Sequence, residues 1–244
     1  NISFTAQGVS GSSSINLVDA GVTDETEYLP ISVSNGSVEI DAGAPSVVDN
    51  SPAFGTTGDS FMFNVSVSDS VDDSSEVIAK VDWSHDVSSG NDSMVFMGGS
   101  YFEKTVSLDA SISDMTYTIY VEDTQGNTMT TDVSTVSVSD NDDPQIVSDT
   151  SSATGSTSDA YSWFVNASDN IDAESDLTVK VDWSHGELSE NVSMSYESSC
   201  WTYSHVLDDS IDDMTYAFYV EDTAGNTLFY SGDSSPVTVT DNDD

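Results

Sequence analysis

Arginine is missing from this chain altogether. Lysine occurs three times, at Lys80, Lys104 and Lys180, against 44 aspartates and glutamates. The resulting formal charge of −41 repels nucleic-acid phosphates and anionic lipid headgroups, which argues against both as partners. The surface also repels itself, so the chain needs concentrated salt or bound multivalent cations to stay compact. One cysteine, Cys200, excludes an internal disulfide, and a single thiol does not fix the redox compartment. It reads as a small buried hydrophobe or an intermolecular crosslink. No run approaches the roughly 20 apolar residues of a membrane helix, so direct membrane insertion is not expected. An initiator methionine and a signal peptide are both lacking, and Asn1 reads as the start of a processed or excised chain. Catalytic signatures are missing too: no Gly-x-Ser-x-Gly, phosphate-binding loop, His-Glu-x-x-His or Cys-x-x-Cys occurs, and an enzyme is not expected. His205 has no partner at catalytic spacing, while His85 and His185 share one repeat position, "DWSH", and read as structural.

What is present is a repeat. "KVDWSH" at 80–85 recurs at 180–185, and "DMTYTIYVEDTQGNT" at 114–128 recurs as "DMTYAFYVEDTAGNT" at 213–227. Self-similarity at a period near 100 residues divides the chain into an N-terminal segment, 1–44, and two modules, 45–143 and 144–244. Within each module the hydrophobic period is two. Phe61, Phe63, Val65 and Val67 share one face of a strand, as do Val77, Ala79, Val81 and Trp83, and Tyr117, Ile119 and Val121. Tyr161, Trp163 and Val165 repeat the pattern, followed by Leu177, Val179, Val181 and Trp183, then by Tyr216, Phe218 and Val220. Gly, Ser, Asp and Asn separate the runs, and no amphipathic helix interrupts them. The fold class is therefore all-β.

About seven short strands per 100 residues, with a tryptophan on the third, reads as an immunoglobulin-like sandwich. Tyr117 and Tyr216 each lie three residues after an aspartate (Asp114, Asp213), the spacing of a tyrosine corner. No cysteines occupy the inter-sheet positions, which sets these modules apart from antibody domains. With "YVEDTAGNT" as the most specific stretch, residues 45–244 resemble the immunoglobulin-like and cadherin-like repeats of archaeal and bacterial cell-surface proteins, including surface-layer proteins, filaments and adhesins.

Sandwich topology also predicts which acids meet. Strands two and six run toward the end at which the chain enters, so the loops between strands two and three (BC) and six and seven (FG) sit beside the incoming linker. For the second module that end collects Asp140, Asn141, Asp142 and Asp143 from the linker, Asp169 and Asp172 from BC, and Glu221 and Asp222 from FG. Asp109 and Asp114 come from the far end of the preceding module. Asp69, Asp72, Glu122 and Asp123 are the first-module counterparts, and Asp241 and Asp243 repeat the linker cluster. So many carboxylates together favour a cation, and calcium takes six to eight oxygens with loose geometry. "DNDDP" resembles the calcium-binding linker of cadherins, which implies calcium at the joint. Solvated acid of the salt-adapted kind is the alternative.

Six Asn-x-Ser triplets begin at Asn1, Asn35, Asn64, Asn91, Asn166 and Asn191 and are candidate glycan acceptors. Strand parity points Asn64 and Asn166 outward. In the first 44 residues Ile2, Phe4 and Ala6 alternate as a possible donor strand, contacting a neighbouring subunit. "ISVSNGSVEI" (31–40) reads as a hairpin turning at Asn35-Gly36. These features lead us to expect an extracellular structural protein of the cell surface, self-associating into a homopolymer or lattice. Its source is expected to be archaeal and salt-adapted. An adhesin stalk, or a non-catalytic binding region of a larger secreted protein, is the alternative.

Overall fold

The computed structural model describes residues 11–15, 22–23, 28–29, 36–41 and 43–242. Strands account for every regular element among them apart from two single 3-10 turns, Ser74–Glu76 and Glu174–Asp176. Ahead of the repeats lie β1 (Gly11–Ile15), β2 (Val22–Thr23), β3 (Tyr28–Leu29) and β4 (Gly36–Ile40). The first repeat carries β5 (Ser46–Asp49), β6 (Phe54–Thr56), β7 (Ser60–Ser68), β8 (Ile78–His85), β9 (Ser88–Ser93), β10 (Val95–Gly98), β11 (Tyr101–Ser107), β12 (Met115–Glu122), β13 (Thr128–Thr130) and β14 (Ser134–Ser139). The second carries β15 (Gln145–Asp149), β16 (Thr154–Ser156), β17 (Ala160–Ser168), β18 (Thr178–His185), β19 (Leu188–Ser193), β20 (Ser195–Glu197), β21 (Cys200–Val206), β22 (Thr215–Glu221), β23 (Thr227–Ser231) and β24 (Thr238–Thr240).

In the first repeat one sheet has the order β10-β11-β7-β5 and the other β6-β14-β12-β8-β9, with β13 also paired to β12. The second repeats this with β15-β17-β21-β20 against β19-β18-β22-β23, and with β16 paired to β24. The β6–β14 and β16–β24 pairings are parallel, the rest antiparallel. This is the arrangement of an immunoglobulin-like sandwich, in which strands one, two, four and five form one sheet and three, six and seven the other. The chain is a tandem of such sandwiches. Its described residues pack into two compact units: one holds those through Ala53 with 60–107 and 115–136, the other holds 54–59, 108–114 and 137–242.

Alternation along each strand makes the core. Phe63, Val65 and Val67 of β7 are fully buried, and so are Val81 of β8 and Met115, Ile119 and Val121 of β12. Phe63 meets Tyr117 edge-on from the opposite sheet, with ring centroids 4.9 Å apart. In the second repeat Trp163 and Trp183 stand 5.4 Å apart across the same interface. Each fully buried side chain of this size contributes about 1.5–3 kcal/mol relative to exposure.

Strand β4 pairs antiparallel with β1, Gly36 opposite Ile15. The hairpin expected over 31–40 rests on residues 31–35, which lie outside the described residues. One local expectation differs from the structure: the tyrosines are anchored differently from a tyrosine corner. Tyr117 Oη donates to Asp49 Oδ2 at 2.6 Å and Tyr216 Oη to Asp149 Oδ2 at 2.7 Å. Each ring points into the core, so its hydroxyl crosses to the end of the first strand instead of returning to the loop before its own.

Candidate cation site

The site begins with turn chemistry. Asp222 stands just past β22, in "EDTAGNT", and is 6% exposed. Its Oδ1 accepts from the amides of Gly225 (2.6 Å) and Asn226 (2.8 Å), and its Oδ2 accepts from Asn226 Nδ2 (2.8 Å). Gly225 takes φ +95°, in the left-handed region where a side chain is strained, so glycine is required there. Asp123 builds the same turn in the first repeat, accepting from the amides of Gln125 and Asn127 and from Asn127 Nδ2. Burial opposes ionisation of Asp123, yet these donors outweigh it and hold the carboxyl below its usual range.

The BC loop is built likewise. Asp69 Oδ1 accepts from the amides of Val71 and Asp72, and Asp169 Oδ1 from those of Ile171 and Asp172. The next aspartate fastens this loop to FG: Asp72 takes the amide and hydroxyl of Thr124, and Asp172 those of Thr223. The incoming linker is fastened third. Asp140 Oδ1 accepts from Thr57 Oγ1 at 3.0 Å and from the Asp142 amide at 3.2 Å. Asn141 Nδ2 donates to Asp59, and Asp142 takes Thr57 Oγ1 and Asn170 Nδ2. The repeat partners Thr157, Asp241, Asn242 and Asp159 form matching bonds.

Together these loops place oxygens of Asp140, Asp169 and Asp222 within 4.8 Å of one another, wholly inside the second unit. Asp41, Asp69 and Asp72 form a like cluster inside the first. Asp41 stands where Asp140 stands in the repeat, four residues before a proline, as Asp69 stands for Asp169. Asn127 Nδ2 reaches the Asp41 carbonyl at 3.5 Å.

In the second cluster Asp169 Oδ2 is buried and has no hydrogen-bond partner among the described residues. No ion pair joins a lysine to any of its three carboxylates; the lysine pair among the described residues is Lys104 with Asp92. Two unit charges at this separation repel by about 3–4 kcal/mol at an effective dielectric of 20. An open depression of about 510 Å³, lined by Asp142, Asp143, Gln145, Ser168, Asp169 and Asn170, adjoins the cluster. The arrangement offers three converging carboxylates without a cationic side chain, a donor set for a hard divalent cation such as calcium.

The remaining expected ligands fall elsewhere. Glu122 accepts from Tyr120 Oη, and Glu221 is half-buried at the end of β22. Asp143 takes the Thr227 amide at 3.3 Å. Asp109 and Asp114 lie outside both clusters, Asp114 on an exposed turn. Asp243, Asn1, Asn35, Ile2, Phe4 and Ala6 lie outside the described residues. Sequence reasoning passed over the threonine clamps at Thr57 and Thr157, although "TTGDS" and "STSDA" mark them at one repeat position.

Two of the histidines are enclosed in the modules. His85 and His185 are 0% and 1% exposed. His185 Nδ1 lies 3.0 Å from Asp208 Oδ1 without making a well-aligned hydrogen bond. The half-buried Cys200 has its thiol pushed up by burial.

No protein family matches the sequence, and no curated protein matches it. Among solved structures, fibronectin(III)-like modules of Clostridium thermocellum CbhA are similar at 14% identity and a TM-score of 0.30, over 80% of this chain and 95% of that one. An ICAM-5 D1–D4 ectodomain fragment is similar at 8% identity and a TM-score of 0.42, over 81% of this chain and 51% of that one. A putative membrane-anchored protein of Corynebacterium diphtheriae is similar at 14% identity and a TM-score of 0.33, over 85% and 55%. Likeness at this level transfers no ligand and no role.

Proposed function

We propose that the chain is an extracellular structural protein of the cell surface, a subunit of a filament or surface layer, whose immunoglobulin-like modules each bind calcium where the chain enters them. The observation that carries this reading is the recurrence of one pairing in both units. An aspartate from the incoming segment (Asp41, Asp140) meets the first aspartate of the BC loop (Asp69, Asp169), and a third carboxylate joins them, Asp72 of the same BC loop in the first unit and Asp222 of the FG loop in the second. A cation at that point ties the segment to the module it enters and restricts swinging of the sandwich on its tether. Stiff modules on restrained tethers suit a mechanical role, and the charge of −41 suits a surface bathed in salt or divalent cations. Self-association through the N-terminal segment, with Ile2, Phe4 and Ala6 lent to a neighbour's sheet, belongs to the same proposal.

Negative-stain electron microscopy of the purified protein at fixed high sodium chloride, with calcium and then with excess chelator, tests it. Filaments or sheets that disperse on chelation are the expected result. Assemblies indifferent to chelation would remove calcium from the proposal. Monomers in both conditions would overturn the polymer and favour an adhesin stalk.

A further inference from the structure

Of the Asn-x-Ser triplets, one pair occupies a single repeat position: Asn91, in "SSGNDSM", and Asn191, in "LSENVSM". Their neighbours have diverged, with Ser88, Gly90 and Asp92 replaced by Leu188, Glu190 and Val192, while the asparagine and the serine two residues on are retained. Asn64 and Asn166 have no such equivalence, since Phe164 and Ser66 stand at the matching places. Asn91 and Asn191 are exposed, as are Ser93 and Ser193. They stand opposite Asp82 and Asp182, on the face turned away from Trp83 and Trp183. Neither side chain makes a hydrogen bond among the described residues. By contrast Asn64 is half-buried on the central strand β7 with Nδ2 donating to Glu103 at 2.9 Å. Asn166 is half-buried on β17, with Nδ2 on Ser148 at 3.1 Å and Oδ1 enclosed.

The strands matter as much as the exposure. Among the described residues β9 and β19 are the edge strands of their sheets, and Asn91 and Asn191 stand on them. Such an edge is a template for pairing with another chain unless something blunts it. We propose that Asn91 and Asn191 carry N-linked glycans that shield these two edges, and that Asn64 and Asn166 remain unmodified. In the reaction, Nδ2 displaces the phosphate from the anomeric carbon of a lipid-phosphate-linked oligosaccharide. The C–N bond forms, the sugar C–O bond breaks, the amide gives up one proton and the lipid phosphate leaves. At Asn64 and Asn166 the accepting nitrogen is half-buried and already committed across the strands, whereas at Asn91 and Asn191 it is exposed.

This inference rests on the cell-surface reading, so the test uses protein recovered from the surface of its own cells. Digestion with an acid-specific protease and mass spectrometry of the peptides is expected to show sugar on Asn91 and Asn191 and bare mass at Asn64 and Asn166. The N91Q/N191Q protein is expected to lose both increments. Bare Asn91 and Asn191 on surface-recovered protein would overturn the inference and leave the cell-surface reading standing. Sugar on Asn64 or Asn166 would overturn the selectivity argued from burial. A chain confined to the cytosol, without sugar, would overturn both readings together.

Discussion

Replacing Asp169 with asparagine tests the cation site through a change of sign. In the wild type, Asp169 Oδ1 accepts two amides, from Ile171 at 2.8 Å and Asp172 at 3.0 Å, and Oδ2 is buried without a partner. Asparagine keeps the first oxygen and its turn. At the second position it places an N–H₂ group facing the Asp140 and Asp222 carboxylates, which converts repulsion into donation. Without divalent cations D169N is therefore expected to be more stable than the wild type, by about 1.5–3 kcal/mol for a buried hydrogen bond to a charged group. With calcium the order reverses. Extracellular calcium modules bind with Kd on the order of 0.1–1 mM. At 10 mM calcium, ten- to a hundredfold above that Kd, binding stabilises the wild-type unit by about 1.4–2.7 kcal/mol. For a unit of roughly 100 residues this raises Tm by roughly 6–20 °C, and D169N forfeits the gain. Scanning calorimetry at matched ionic strength, with calcium, magnesium or chelator, reads both effects. Asp114→Asn, at an exposed acid outside the clusters, is the control and keeps the full calcium response. Equal Tm shifts in wild type and D169N, or equal shifts from calcium and from sodium at matched ionic strength, would refute the site and leave only charge screening.

Three further predictions concern the frame that holds the site. Burial, and then the hydrogen bond to Asp49 or Asp149, pushes Tyr117 and Tyr216 up to about 12. A phenol whose folded pKa exceeds its unfolded value near 10 gives stability that is complete below pH 10 and lost as pH rises toward 12. Alkaline unfolding followed by tyrosinate absorbance should fall in that window, and the Y117F/Y216F protein should unfold at higher pH. Gly232→Ala would set its Cβ 1.9 Å from the Tyr216 ring, which the Asp149 bond holds in place. A loss of about 1–3 kcal/mol or more is expected from overpacking, read as a lower Tm of the second unit. Asp92→Ala removes the acceptor 2.9 Å from Trp83 Nε1 and should cost about 1–2 kcal/mol in urea unfolding. At the second repeat Val192 stands in its place, so Val192→Ala tests packing alone.

Periodicity carries most of this fold. A strict alternation such as "FMFNVSV" permits one buried face, and Phe61, Phe63, Val65 and Val67 are all 3% exposed or less. The loops that approach one another are legible for the same reason, because the direction of each strand follows from the sandwich order. Partnerships between distant residues are a different matter. Nothing local to Asp49 marks it as the acceptor for Tyr117, 68 residues away. Parity likewise places Asn64 and Asn166 on the outer face, but it does not reveal the cross-strand groups Glu103 and Ser148 that occupy their amides.

Counting acids also overstates how many oxygens a cation can claim. An aspartate at the head of a turn serves the backbone first: Asp69, Asp123, Asp169 and Asp222 all spend lone pairs on amides within four residues. Asp72 and Asp172 spend theirs on Thr124 and Thr223, and Glu122 on Tyr120. What remains in the second cluster is the unpartnered Oδ2 of Asp169, the second oxygen of Asp140, and the lone pairs left on Asp222. Loop hydrogen bonding therefore fixes the carboxylates before any cation arrives, so a bound ion meets little cost of reorganisation, while its absence leaves fixed charges that cannot move apart. The same preorganisation that would favour binding is what should make the cation-free protein less stable than its D169N variant, and a diffuse acidic surface has no means of producing that inversion.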